Sequence, residues 1–436
     1  MKKYIYQGYL LLLLLITGLS ACKKSDSDKF DKTPGQRSTE ALNKYQTQLT
    51  SAPNGWKAIL YPSAGGVYLF SIKFAANDRT TMLSDIDSTK STTPLESGYI
   101  IKQLQAPSLV FDTYSYIHLL SDPDPNVQSG QAGVGYSSDF EFSFDKVGSD
   151  TITLIGNRNG SKLTLIKAAT AAEYTSFTTA TTSVFTSLNV VRTYFKRVTI
   201  GTTVCEVNID KTNKILNLSY LDNGTNLKTV SSGFYVDGST NVMVLINPVT
   251  IGATTITTIK TITGDSGTHT VNATINGTAM QIKEAIAPLK YDLTAVSAFT
   301  VSFHPASHYN NAWVSNNGFT VDNKIDAYGV RAIPGLDYVL YYPLTTTKEK
   351  GTKIGFYSNA DGFFPYGPEI ISSVSNGIIS FKYWGSYGNP PAAIAPAVNS
   401  TTNKFLDPNG FYVIQTSPKT YDLVNATDAR AWISFY

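Results

Sequence analysis

Asp139-Phe140-Glu141-Phe142-Ser143-Phe144 alternates polar and apolar residues at every step. Successive side chains of a strand point to opposite faces, so Phe140, Phe142 and Phe144 are expected inward and Asp139, Glu141 and Ser143 outward. The pattern predicts a half-buried β-strand, and the same texture extends on both sides of it. Downstream, Thr151 to Ile155 and Lys162 to Lys167 flank Gly156-Asn157-Arg158-Asn159-Gly160, a hairpin turn. Upstream, Lys57 to Pro62 is a short strand and Gly65-Gly66 turns into Val67 to Phe74, whose apolar residues come from both faces, as in a covered sheet. Tyr99 to Lys102 follows, and Ser108 to Leu120 reads as one further strand.

Before this β region lies a helix. Ser38 is the expected N-cap, Leu42, Tyr45 and Leu49 recur at helical spacing, and Pro53-Asn54-Gly55 ends the element. After it, a Thr/Ala-rich stretch around Ala168 to Ser187 reads as a helix or linker and marks a boundary. The β pattern then resumes. Val204 to Ile209 and Ile215 to Leu221 flank the turn Asp210-Lys211-Thr212-Asn213, and Ile251 to Ile262 is a run of Thr, Ile and small residues. Tyr338 to Tyr342 and Ile354 to Tyr357 are strands among aromatic, Pro- and Gly-rich loops. The fold class expected is mostly β: two or three antiparallel β-sandwich-like domains with one N-terminal helix after a disordered tether. The expected boundaries are 1–21 signal peptide, 22–37 lipidated tether, 38–190 helix plus β domain, 191–286 β domain and 287–436 C-terminal β domain with aromatic loops.

Composition agrees with an extracytoplasmic β protein. Of 436 residues, 42% are hydrophobic and only 15% are charged, against roughly 25% charged in an average soluble domain. The formal charge of +3 includes Lys2 and Lys3, so the chain after them carries 3 − 2 = +1. Such balance gives no electrostatic reason to expect nucleic acid. The N-terminus has Lys2 and Lys3 in front of an apolar run from Tyr9 to Ile16, the form of a secretory signal peptide. Leu19-Ser20-Ala21-Cys22 closes it and resembles the lipobox of bacterial lipoproteins. That resemblance implies cleavage before Cys22 and acylation of Cys22, which anchors the chain to a membrane without spanning it. Lys23 to Lys29 is polar and charged and cannot bury surface. Asp26 and Asp28 fit the acidic signal that sends such lipoproteins to the outer face of the outer membrane. With Cys22 acylated, Cys205 has no partner for an intramolecular disulfide, and its apolar strand-like surroundings read as a buried small hydrophobe.

The order of landmarks resembles an uncharacterised family of Bacteroidetes-type lipoproteins, domain of unknown function 4302. The matching pieces are Asn54-Gly55-Trp56, Gly65-Gly66-Val67-Tyr68 and Ser97-Gly98-Tyr99. Then come Pro107-Ser108-Leu109-Val110-Phe111-Asp112-Thr113-Tyr114 with His118, Asp139-Phe140-Glu141-Phe142 and Leu154-Ile155-Gly156. Ser138 stands where a Gly is expected, and Asn157-Arg158 replaces a more lysine-rich turn. The resemblance implies an accessory lipoprotein of SusC/SusD-type outer-membrane uptake systems. It carries no catalytic residues to transfer.

Candidate sites divide into two groups. Asp112, Tyr114, Tyr116 and His118 alternate along the expected Ser108 to Leu120 strand, giving a polar aromatic face able to contact a ligand. Phe363-Phe364-Pro365-Tyr366-Gly367-Pro368 and Tyr383-Trp384-Gly385-Ser386-Tyr387-Gly388 are aromatic loops; Phe364, Tyr366, Tyr383, Trp384 and Tyr387 offer flat faces for sugar rings or peptide groups. Other motifs are weaker. Asp139 and Glu141 share one side of a strand, but glycosidase carboxylates normally come from separate elements. Asp122-Pro123-Asp124-Pro125-Asn126 opens like a calcium loop and lacks its Gly and closing Glu. His304 and His308 have zinc-helix spacing, with Pro305 where the Glu belongs. No metal or cofactor is implied. The function expected is binding of a glycan or peptide by a lipid-anchored surface protein serving an uptake transporter; the alternatives are a surface-polymer hydrolase and a purely structural docking lipoprotein.

Overall fold

The computed structural model describes residues 32–238, 242–301, 312–343 and 352–436. The signal-like run, Cys22 and the tether up to residue 31 lie outside the described residues, as do His304 and His308. Strands dominate and every strand pair is antiparallel, as the alternation predicts. They do not form sandwiches, however. Eight strands between Trp56–Tyr61 and Lys162–Lys167 follow one another as a meander, and the first pairs with the last from Trp56↔Lys167 to Tyr61↔Lys162, closing a barrel. A second closed barrel joins Phe195–Ile200 to Thr278–Ala285 in the same way. Strand twist bends an eight-stranded meander back on itself, and closure leaves no unpaired edge.

The third sheet, between Trp313–Ser315 and Ala431–Phe435, has ten strands among the described residues. Its first strand also meets its last in sequence: Val314 and Tyr436 each donate the backbone N–H to the other's carbonyl, at 3.2 and 3.0 Å.

The barrels are filled rather than hollow. Trp56, Ala58 and Leu60, then Tyr68, Phe70, Ile72 and Phe74, point inward at every second position, and Phe111, Phe142, Leu154 and Leu165 complete the first core. The second is built from aliphatic residues such as Val207, Leu218, Val236, Ile256 and Val271. Its residual void is about 30 Å³, lined wholly by apolar side chains. That is room for about one water, and such a void stays dry.

The N-terminal helix starts a turn earlier than read from the sequence, at Pro34–Thr50. Thr33 is the cap: it accepts from the Gln36 N–H while the Gln36 side chain accepts from the Thr33 N–H. Thr33-Pro34-Gly35 is thus a start signal and not tether, since Pro suits the first helical position. Three further helices of eight residues or more lie among the described residues. The most consequential is Ala171–Leu188, the stretch read as helix or linker. It explains why Val67 to Phe74 is apolar on both faces: Ile59, Val67 and Leu69, on the outside of the first barrel, pack on Phe177, together with Tyr235 and Ile246 of the second. Farther along the helix, Ala180, Val184 and Leu188 join the core of the second barrel.

The expectation that Phe140 faces inward and Asp139 outward is reversed. The strand is Glu141–Val147; Asp139 is 3% exposed and Phe140 37%. Asp139 Oδ1 accepts the N–H groups of Arg158 and Asn159 at 2.9 Å, and Oδ2 accepts the N–H (3.0 Å) and hydroxyl (2.5 Å) of Ser161. A carboxylate that satisfies four donors in a turn stays buried despite its charge, which takes Asp139 and Phe140 out of the alternation while Phe142 keeps to it and is buried. Gly156 makes room for it: a Cβ there would lie 2.0 Å from Asp139 Oδ2. Gly156→Ala is expected to cost about 1–3 kcal/mol by overpacking. Urea unfolding monitored by tryptophan fluorescence checks this, with Gly35→Ala, in the first helical turn where a Cβ meets nothing within 4 Å, holding or raising the wild-type midpoint.

Candidate functional site

The connection from Phe111 to Glu141 is long, and it carries the site. The expected strand Ser108 to Leu120 stops at Phe111; Tyr116–Leu120 is a 3₁₀ helix instead. The cause is local. Ser115 caps that helix, and its N–H and hydroxyl both lie against His118 Nδ1, at 3.1 and 3.2 Å. The helical turn brings Tyr114 and His118 together where a strand would have spread them apart. Their rings stack at 5.4 Å, and His118 stacks on Phe140 at 4.6 Å, each pair tilted by 25°. Tyr114 and Phe140 are exposed, so the three rings form a column open to solvent. Tyr116 instead turns away to donate to the Thr93 carbonyl. Asp112 packs on Gly98, where a Cβ would lie 2.3 Å from its carboxylate.

Beside the column is a cleft of about 470 Å³, walled by Phe140, Pro123, Val134, Glu141, Arg158 and Asn159. Ser138 also lines it; its hydroxyl is buried and has no hydrogen-bond partner among the described residues. The Glu141 and Arg158 side chains form no ion pair among the described residues. The cleft therefore offers one carboxylate and one guanidinium beside aromatic faces. Asp122 and Asp124, the start of the calcium-like run, are occupied by turn chemistry. Asp122 accepts from the Tyr114 hydroxyl and the Asp124 N–H, and Asp124 caps the helical turn Pro125–Gln128. No cluster of metal-ligating side chains occurs among the described residues.

Electrostatics keep the site neutral in its centre. Burial lowers the His118 pKa below 6.5, opposed by the Phe111 carbonyl and the Asp112 carboxylate. Burial and the bond to Asp122 push the Tyr114 phenol up to about 12. His118 is thus a neutral ring at pH 7, with Nδ1 facing Ser115.

The C-terminal aromatic group divides. Tyr366 is buried in the third core with Phe364 stacked on it at 5.5 Å, and the Tyr387 hydroxyl donates to the Ile354 carbonyl. These three hold their loops against the sheet. Tyr383 and Trp384 remain 54% and 52% exposed. Tyr383 pairs with Ile370 and Gly385 with Glu369, so Trp384 is the extra residue of a bulge, which turns its ring outward. Phe140 and Arg158 escaped the sequence reading. The signal for Phe140 was a false one, since perfect alternation marked it as core.

A larger concavity of about 720 Å³ lies on the wall of the second barrel. It has no aromatic lining, and its Arg197 is tied to Glu206 at 2.6 Å. The aromatic cleft is the better site, because ring faces and unpaired polar groups converge there.

Cys205 is buried and its thiol is pushed up to about 11 by burial. It should resist iodoacetamide at pH 8 in the folded protein and react in urea. For His118, the folded state holds the proton less well than the unfolded chain. Stability is therefore full above pH 6.5 and falls as the pH drops through the range just below it. His118→Gln removes that component, so the difference in urea midpoint between pH 8 and pH 5 should shrink.

Comparison with known proteins gives one family. The family described as Domain of unknown function (DUF4302) matches residues 26–263, a span that includes the whole first barrel and the aromatic cleft. No curated protein matches. Among solved structures, the DNA polymerase III beta chain from Streptococcus pneumoniae aligns at 12% identity, over 90% of this chain and 97% of that one, with a TM-score of 0.16. A putative DNA polymerase III beta subunit from Eubacterium rectale aligns at 9% identity, over 91% and 96%, with a TM-score of 0.16. The beta subunit from DNA polymerase of Streptococcus pyogenes gives 9%, 90%, 97% and 0.14. Scores this low carry no argument about fold or function.

Proposed function

The chain belongs to the DUF4302 family, and from that premise we propose that it is a lipid-anchored surface protein that captures a glycan without processing it. The observation that carries this reading is the Tyr114–His118–Phe140 column, exposed at Tyr114 and Phe140, beside a cleft holding Glu141 and Arg158. A sugar ring stacks its C–H face on an aromatic ring while its hydroxyls bond to carboxylate and guanidinium groups. Stacking covers the His118 ring, so the faces left for a sugar belong to Tyr114 and Phe140. Hydrolysis by Asp139 and Glu141 is disfavoured, since both oxygens of Asp139 are committed to the turn at 158–161. The anchor is the lipid on Cys22, which holds the protein to the exterior face of the outer membrane. There it serves a SusC/SusD-type transporter. A second reading, docking on that transporter, is favoured by Tyr383 and Trp384, two adjacent exposed rings on a sheet far along the chain from the cleft.

Affinity electrophoresis through gels containing different polysaccharides tests both. One polymer is expected to retard the protein. Phe140→Ala or Tyr114→Ala should weaken the binding at least about tenfold, the effect of losing about 1.4 kcal/mol of stacking, while Trp384→Ala leaves it unchanged. Loss of retardation in Trp384→Ala alone would move the site to the hairpin. No retardation by any polymer would leave the docking reading.

A further inference from the structure

The junction of the two closed barrels holds an amine against a carboxyl group in a dry site. Lys214 follows the Asp210–Asn213 turn of the second barrel, and Asp85 follows the strand Arg79–Ser84 of the first. Their side chains are 2% and 0% exposed, and Lys214 Nζ lies 2.5 Å from Asp85 Oδ1. The amine sits over the Tyr68 ring at 4.7 Å and has no other polar partner. The carboxyl is gripped from elsewhere: the Leu69 N–H donates to Oδ1 at 2.8 Å and the Thr181 hydroxyl to Oδ2 at 3.0 Å. We propose that Lys214 and Asp85 condense into an isopeptide bond, which ties the two barrels covalently.

The chemistry closes without any co-reactant. Burial disfavours the Lys214 charge, and the proton on Nζ has a route to Oδ1 across the contact, leaving an amine and a carboxylic acid. Burial acts on Lys214 in that direction, lowering its pKa against the pull of Asp85. The Nζ lone pair then attacks Asp85 Cγ, which lies at most one carbon–oxygen bond beyond Oδ1. The carbonyl electron pair moves onto Oδ2, where the Thr181 hydroxyl is already aimed, while the Leu69 N–H holds Oδ1. The carbon–oxygen bond to the protonated oxygen breaks and takes a second proton from nitrogen. One water leaves, and the amide nitrogen keeps one hydrogen. Two groups fixed in contact react at effective concentrations on the order of 10⁵ M or more, and a site that excludes water favours the amide over its hydrolysis. A disulfide cannot brace this junction, because Cys205 and Cys22 are the chain's two cysteines and Cys205 is buried inside the second barrel.

Mass spectrometry of the full-length protein, purified folded and then denatured, decides the matter. The wild type is expected to weigh one water molecule less than its sequence, judged against Lys214→Arg processed in parallel and corrected for the substitution. Tryptic digestion should skip Lys214 and yield a branched peptide joining its segment to that of Asp85. Asp85→Ala should restore the linear peptide. Linear, unmodified peptides at both positions from the folded wild type, fresh and after prolonged incubation, would overturn the proposal. The wild-type measurement stands whether or not either variant folds.

Discussion

The carboxylate of Asp85 has to be satisfied by groups from three separate parts of the chain. An unpaired charge in a dry interior costs several kcal/mol, so an arrangement lacking any one of its partners is strongly disfavoured. Leu69 belongs to the first barrel, Thr181 to the helix Ala171–Leu188, and Lys214 to the second barrel. One residue therefore fixes the helix on the outer wall of the first barrel and the second barrel on the helix. The apolar contacts around Phe177 supply area but little direction. The charge supplies the register.

The other junction repeats the principle with different chemistry. Tyr194, at the entry to the second barrel, donates its hydroxyl to Asp422 of the third sheet at 2.7 Å, and Phe195, Tyr412, Val424 and Ala429 pack around the contact. Burial raises the Asp422 pKa, while the hydroxyls of Ser434 and Tyr194 pull it down. At the rim, Asp322 lies 3.5 Å from Arg192 and 3.7 Å from Arg430. Polar side chains from different sheets thus meet at every junction, and each must find its partner for the burial to be favourable.

Among the described residues the two closed barrels are filled with side chains, and the aromatic cleft lies on a connection between strands. The Phe111 to Glu141 connection is long enough to be soft, yet it is held at many points. Tyr136 stands edge-on to Tyr68 at 5.7 Å and donates to the Gln128 carbonyl, and Asp139 locks the connection's end onto the turn at 158–161. A stiff loop presents its rings without an ordering penalty on binding, which is the condition for a weak-contact site to work. The same constraint that buried Asp139 pushed Phe140 outward.

The sequence by itself determined the strand-rich class, the antiparallel pairing and most of the hairpins, because a period of two and turn residues such as Asp210 to Asn213 act over a few residues. The helix Ala171–Leu188 was half legible, since its Thr-rich composition is weak in helix propensity and its stability comes from the two barrels it touches. Tertiary structure alone decided closure. Whether Trp56–Tyr61 meets Lys162–Lys167 depends on twist accumulated over all eight strands, and no local pattern records it. It also decided the candidate site. Tyr114 and His118 were visible as polar aromatics, but Phe140 was marked as core by its alternation. Only the contacts of Asp139 with a turn about twenty residues away placed it at the surface, because four hydrogen bonds offset the cost of burying the carboxylate and outweigh the gain from burying one ring.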